Sequence, residues 1–254
     1  RPLQSRFRGF ENLLGLQYKV EVFTCSNCSN ACEIKKVLLE GSEPLYYGSR
    51  CDRYNIRKKE CGAAGADLTA WRTAKLFEWA GLPEKKEHDA LEGTDKPTVA
   101  IPRALISWQM LPMFGRFFSE LGCRVIVSGK TTRAVIRKGI ESICAQPCFP
   151  VKAAYGHVCQ LLESRPDYLF IPAVRSMGRQ FRNQPYNKLC PYVQSFACQV
   201  RSAFSESFGR TRLLTENLYL GHAEGHLRKS FRSLAGRLNI RDIDSRPSIF
   251  SVRL

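Results

Sequence analysis

Cysteines at 25, 28, 32 and 51 are spaced as a soft metal ion or an iron–sulfur cluster asks of a chain. Two residues separate Cys25 from Cys28, three separate Cys28 from Cys32, and eighteen separate Cys32 from Cys51. Cys25 and Cys28 therefore reach one metal, Cys32 adds a thiolate from the next turn, and Cys51 closes the shell. Zinc accepts such a four-thiolate set, and the uneven spacing also suits a cubane cluster. Unrelated buried thiols have no reason to recur at these intervals.

A second pair of thiols lies further along. In Cys144-Ala-Gln-Pro-Cys148-Phe-Pro-Val-Lys152, Pro150 suits the first position of a helix that starts near Val151. Cys148 then sits by a helix N-terminus, whose partial positive charge favours a thiolate that binds metal or attacks. Cys190, in Lys188-Leu-Cys190-Pro191, is a second candidate ligand on the same edge of a sheet. On spacing alone, an incidental cysteine pair is as good a reading, and Cys144 is a further candidate. His157 follows Lys152 by about a turn; helix packing or solvent exposure competes with a hydrogen bond to a cluster sulfide or a coenzyme phosphate. His222 and His226 read as surface residues, and Trp71 and Trp79, eight apart on one helix face, read as core packing. Gly62-Ala-Ala-Gly65 reads as a turn, not a phosphate loop, and no Ser-His-Asp set stands out.

The elements that must position these groups are legible in the hydrophobic pattern. Residues 18–23 alternate like a strand, and 33–39 with 44–47 make a second hairpin around Gly41 and Ser42. This is a small β unit able to carry four cysteines. A helix is expected from Asp67 to Trp79, ending at Gly81-Leu-Pro83, and the charged residues 84–96 read as a linker. Buried-type strands at 98–102, 124–127 and 167–172 alternate with helices at 104–121, from Thr131 or Thr132 to 140, and at 151–163. A last strand is expected at 212–214 or 218–220 and a last helix at 225–235. The expected fold is thus α/β, a mostly parallel open sheet flanked by helices and preceded by a cysteine-rich β metal-binding unit. The expected division is a metal or cluster unit over 1–66, a helix and linker over 67–96, and an α/β domain over 97–254. In such sheets ligands lie beyond the carboxyl ends of the strands, which points to the loops after Val127, Ile143 and Pro172.

Composition bounds the rest. The chain has 254 residues, 44% hydrophobic, enough to form a core without disulfides. Eleven cysteines, an odd number, fit a reducing compartment holding thiolates for metals. No apolar run approaches membrane-spanning length and no leader pattern stands at the start, so a cytoplasmic address and no membrane contact are expected. Arg1 in place of methionine fits a segment of a longer protein. The formal charge of +16 raises nucleic acid as a partner. The basic residues are scattered without interleaved aromatics, however, and a solvated surface explains them better; an acidic protein partner is served equally well by the charge.

Several segments together resemble a family. Ile101-Pro-Arg-Ala-Leu105, Phe117-Phe-Ser-Glu-Leu-Gly122, Cys148-Phe-Pro-Val-Lys152, Gly156-His157, Asp167-Tyr-Leu-Phe-Ile-Pro172 and Cys190-Pro-Tyr-Val193 look like the acyl-CoA dehydratase activase-related proteins. These are relatives of the 2-hydroxyacyl-CoA dehydratase subunits and the double-cubane cluster proteins. Upstream, Cys25 to Cys32 with Gly48-Ser-Arg-Cys51-Asp-Arg-Tyr54 is similar to the cysteine segment that joins the ATPase modules to the α/β part in long members. The resemblance implies an α/β module holding a 4Fe-4S cluster, with Cys148 and Cys190 as cofactor ligands. It also implies anaerobic electron transfer from an ATP-hydrolysing activase module or subunit, with an acyl-CoA as the substrate class and a homo-oligomer as one arrangement. Dehydratase subunits supply three cysteines each, and Ala173 stands where some relatives carry another. The leading expectation is therefore an electron-transfer or reductase component. A zinc-stabilised binding module, with Zn at Cys25, Cys28, Cys32 and Cys51, and a 2-hydroxyacyl-CoA dehydratase subunit are the alternatives.

Overall fold

The computed structural model describes residue 10 and residues 15–27, 30–51, 53–54, 66–84, 96–143, 145–178, 187–220 and 224–240. The chain divides into two compact units, Arg1–Gly62 and Ala63–Leu254. In the first, β1 (Tyr18–Thr24), β2 (Glu33–Leu39) and β3 (Leu45–Tyr47) form an antiparallel meander in the order β1-β2-β3. Gly41, at φ +68°, supplies the left-handed turn between β2 and β3, as its position in the pattern led us to expect. Ile34 on β2 is fully buried, and the rings of Phe23 and Tyr46 gather around Tyr54, with centroids 5.6 and 5.5 Å away. The other face carries Tyr18, Val20, Val22 and Tyr47, all exposed.

The second unit is α/β. Four parallel strands, β4 (Thr98–Ile101), β5 (Arg124–Val127), β6 (Tyr168–Phe170) and β8 (Arg212–Leu214), lie in the order β5-β4-β6-β8. The chain starts in β4, steps out to β5, then crosses back to β6 on the other side. That reversal places a switch point between β4 and β6, where the carboxyl ends of neighbouring strands part. β4 is buried on both faces, which is why Val99, Ala100 and Ile101 are apolar in a row with no polar alternation. Beyond Pro172, which has no N–H to give a ladder, β7 (Ala173–Ser176) pairs in parallel with β9 (Asn217–Tyr219). The expected loop after Pro172 is therefore strand, and the two last-strand candidates both form, one in each sheet. Asp167 fastens the opposite edge: its Oδ2 accepts from Thr98 N at 2.8 Å and Thr98 Oγ1 at 2.7 Å.

Helices cover both faces. α1 (Leu68–Ala80) is capped by Asp67, whose carboxylate accepts from Thr69 and Ala70 N–H, and ends at left-handed Gly81. The run expected as one helix over 104–121 is two, α2 (Leu105–Gln109) and α3 (Leu111–Glu120). Pro112 sits in the first turn of α3, where a missing N–H costs least, and restarts the helix after Met110. α4 (Arg133–Glu141), capped by Thr132, packs on α5 (Phe149–Glu163); α6 (Pro191–Ala203) and α7 (Glu224–Arg237) follow. One core joins α1, α2, α3, α7 and the sheet around Phe114, Phe117, Phe118 and Phe170; the other joins α5 and α6 to the opposite face around Leu169, Val158 and Phe196.

Trp71 and Trp79 do not pack in the core. They are 59% and 53% exposed, while α1 buries Thr73, Leu76, Phe77 and Ala80. α1 meets α3 where Ala80 lies against Gly115, so closely that a Cβ on Gly115 would be 3.0 Å from Ala80 Cβ. Two indoles do not fit that approach, and the smaller stripe turns inward. His226 is exposed, as expected; His222, Gly62, Gly65 and all of the expected linker except Glu84 and Lys96 lie outside the described residues.

Candidate functional site

At the carboxyl edge of β4 and β5 a polar network is built around His157. The ring is 1% exposed; its Nδ1 lies 3.0 Å from Ser128 Oγ and its Nε2 2.9 Å from Thr131 Oγ1. Ser128 Oγ also accepts the Arg103 backbone N–H at 2.7 Å, and Gln160, one turn beyond His157, accepts Gly129 N–H at 3.0 Å. One helix face thus fixes the backbone of the loops after both strands.

The preceding residue allows this. A Cβ on Gly156 would stand 1.9 Å from Val135 O, and one on Gly139 would stand 2.0 Å from Lys152 O. Reciprocal glycines let α4 and α5 touch backbone to backbone, seating the α4 N-terminus beside His157. Gly156-His157 therefore reads as one packing glycine and one buried hydrogen-bonding ring, a role that periodicity alone did not separate from solvent exposure.

Burial, followed by the charge of Arg103, pushes the His157 pKa down to about 4, so the ring is neutral near pH 7. The tautomer follows from the partners. Ser128 is buried, and among the described residues Nδ1 is the one acceptor within reach of its hydroxyl proton, so that proton goes to Nδ1; Nε2 then carries the ring proton and donates it to Thr131 Oγ1. The Thr131 hydroxyl proton is left to point elsewhere.

Arg103 projects from the end of β4 with its guanidinium carbon 4.5 Å from the Trp108 ring centroid and 5.8 Å from that of Phe77. Its Nη2 donates to Thr73 Oγ1 at 3.4 Å. Burial lowers its pKa and the Glu84 carboxylate partly offsets this. Two residues on, Leu105 takes φ +49°, a conformation that costs a non-glycine residue roughly 1–2 kcal/mol.

The thiols fall into groups. Cys148 is the N-cap residue of α5 and Cys190 that of α6; each helix carries proline in its first turn, and both cysteines are exposed. α5 leads into β6 and α6 towards β8, both parallel strands, so both helices begin on the side where the strands end. They pack through Tyr155, whose ring meets Phe196 at 5.4 Å and Phe204 at 5.8 Å. Cys144 lies outside the described residues. Cys123 and Cys159 are structural: burial pushes Cys123 up to about 11 and raises Cys159, whose Sγ lies 3.1 Å from Ser142 Oγ.

In the first unit, Cys25 N–H donates to Cys32 O at 2.8 Å, closing the loop between β1 and β2. Gly48, at φ +100°, passes so near that a Cβ would meet Glu33 O at 2.3 Å, which carries the chain towards Cys51 along the start of β2. Tyr54 Oη donates to Cys25 Sγ at 3.5 Å. That bond is the main cause of a lowered Cys25 pKa, with the Asn27 N–H adding to it; burial of the thiol opposes them and the Arg53 charge adds a smaller lowering. Cys28 lies outside the described residues, and among the described residues no group of three or more His, Cys, Asp and Glu is placed to hold a metal ion. The expected metal-binding character of this β unit is thus not shown by its described residues. Nor is any described helix long and apolar enough to cross a membrane.

No curated protein and no solved structure matches the chain. A family model described as the CoA enzyme activase uncharacterised domain matches residues 98–248, from the first residue of β4 to beyond α7. That span takes in the parallel sheet, the His157 network, Cys148 and Cys190, and it is more than half of the chain. The protein therefore belongs to the CoA enzyme activase uncharacterised domain family.

Proposed function

We propose that this protein is an iron–sulfur electron-transfer module of an acyl-CoA dehydratase activase-type system. In this reading it takes low-potential electrons from an ATP-hydrolysing activase module or subunit and serves chemistry on an acyl-CoA. The observation that carries the reading is the pairing of Cys148 and Cys190 as exposed N-cap residues of two packed helices at the carboxyl edge of the sheet. Two thiols at the positive ends of helices suit an anionic sulfur centre. The donor chemistry fits a 4Fe-4S cluster; the number falls short, since such a cluster takes four ligands. Cys144 or a second copy of the chain would complete the set. A bound cluster supplies one-electron redox chemistry. The chain's own part is to hold two ligands on rigid helices, and the net charge of +16 favours docking of an acidic electron donor.

Anaerobic purification with iron and acid-labile sulfide analysis tests this directly. A brown protein whose iron is lost in Cys148→Ala/Cys190→Ala is the expected result; a colourless protein carrying zinc and no sulfide refutes it. A second reading is supported by the first unit. The Cys25–Cys32 loop closure and the approach of Gly48 to Glu33 suit a structural site for zinc or a relay cluster at Cys25, Cys28, Cys32 and Cys51. Metal retained in the Cys148/Cys190 double variant and lost in Cys25→Ala would assign it.

A further inference from the structure

Thr131 is hydrogen-bonded to His157, and Arg103 is tied to the same network by its backbone N–H to Ser128 and by the effect of its charge on the ring; among the described residues both keep donor capacity that the fold does not consume. Thr131 is exposed, accepts the Nε2 proton, and has no acceptor for its own hydroxyl proton among the described residues. Arg103 has five N–H donors; among the described residues it makes one side-chain hydrogen bond, a long one at 3.4 Å to a neutral hydroxyl, and no ion pair. Lys130, between Gly129 and Thr131, is exposed. We propose that Arg103, Thr131 and Lys130 form a binding site for a phosphoryl group at the carboxyl ends of β4 and β5, with His157 as its positioning residue.

Three features favour a bound oxyanion over a solvated surface. The Arg103 guanidinium lies over the Trp108 ring, 4.5 Å from its centroid, a contact that restricts the side chain before a ligand binds. The Thr131 hydroxyl is directed by a relay running from a backbone amide through Ser128 and a neutral imidazole, so its donor role is set before any ligand arrives. The first residue of α2, Leu105, two residues after Arg103, is held at positive φ, the kind of strain that persists where surrounding structure imposes it. A tetrahedral phosphoryl dianion with free oxygens can use a planar fork, an ammonium and a hydroxyl together, whereas a carboxylate offers two coplanar oxygens and one charge. Among the described residues Glu84 is the acidic group that acts on Arg103, and it competes with the ligand.

The site does not rest on the cluster reading and is testable on protein purified with or without metal. Titration calorimetry at constant ionic strength would compare pyrophosphate, coenzyme A and malonate, a dicarboxylate dianion. We expect pyrophosphate or coenzyme A to bind at least tenfold more tightly than malonate. Arg103→Gln should weaken that binding tenfold or more, Thr131→Val threefold to tenfold, and Lys36→Gln, a cation of the first unit, not at all. Tighter binding of coenzyme A than of pyrophosphate assigns the phosphate to the coenzyme; the reverse assigns it to a free diphosphate. Malonate binding as tightly as pyrophosphate overturns the proposal, as does Thr131→Val binding like the parent. Because Thr131 is exposed, that variant tests the site even where Arg103→Gln fails to fold. Nitrogen NMR of His157 gives an independent check: a proton on Nδ1 in place of Nε2 removes the relay and the proposal with it.

Discussion

Adding one methyl group at Gly156 should cost this protein more than its helix propensity returns. The new Cβ would stand 1.9 Å from Val135 O and 2.7 Å from Val135 C, and both atoms are backbone. Ordinary van der Waals contact begins near 3.4 Å, so α4 would have to retreat by more than an ångström along a contact that Gly139 makes equally tight. Glycine to alanine in a helix interior gains about 1 kcal/mol; overpacking typically costs about 1–3 kcal/mol and occasionally more. Retreat of α4 also strains the Thr131 and Ser128 bonds to His157, each worth about 1 kcal/mol. The net expectation for Gly156→Ala is a loss of about 2–4 kcal/mol. Gly236→Ala in α7 is the control: nothing lies within 4 Å of its Cβ position, and a gain of up to about 1 kcal/mol is expected. Trp71, Trp79 and Trp108 are the three tryptophans of the chain and all lie in the second unit, so urea unfolding followed by tryptophan fluorescence reports that unit. A midpoint for Gly156→Ala equal to or above the parent's would refute the close contact of α4 and α5, and with it the placement of His157.

The pKa shifts give two predictions of acid sensitivity. A histidine at about 4 in the fold and 6.5 when unfolded binds fewer protons folded, so stability falls as pH drops from about 6.5 towards 4, by at most about 3 kcal/mol at 1.36 kcal/mol per unit. His157→Gln should flatten that part of the pH–stability curve measured by urea unfolding; an unchanged slope counts against a buried neutral ring. Asp167, held below the usual carboxylate range mainly by the Thr98 backbone and side-chain bonds, contributes stability that is present above its unfolded pKa and lost as pH falls through the folded one. Asp167→Asn should cost about 1–3 kcal/mol at pH 7, and that difference from the parent should shrink on acidification below pH 4. In the first unit, Tyr54→Phe removes the hydroxyl that lowers the Cys25 pKa, so thiol alkylation near pH 8 should slow at Cys25; an equal or faster rate contradicts the contact.

The strands of both units were legible from the residue types along them. In β1 apolar and polar residues alternate, yet Tyr18, Val20 and Val22 are exposed and the covered side is that of Ile34 and Tyr54, so the alternation marks the strand and not its buried face; β4 reads Thr-Val-Ala-Ile and is buried at all four positions, so no alternation is left. The break between α2 and α3 was written in Pro112, but the apolar content on either side masked it, since packing and not periodicity decides whether a proline restarts a helix or kinks it. The spacing of Trp71 and Trp79 says that they share a face of α1 but not that this face is exposed; which face turns inward depends on Gly115, thirty-five residues beyond Ala80, and no local pattern carries that.

The sequence by itself determined the thiols, their spacing, the α/β alternation, and a helix start beside Cys148. Those follow from local chemistry: proline at a first turn, glycine at a left-handed stop, threonine at a cap. Only the tertiary structure decided that His157 is neutral and buried, that its ring joins the loops after two strands, and that Arg103 lies stacked at their end with donors to spare. Ser128, Thr131, Gly156 and Arg103 are ordinary residue types at intervals of no particular period. They acquire a shared role because the crossover from β5 to β6 brings α5 back against the loop after β5, and long-range proximity of that kind is set by the packing of whole elements.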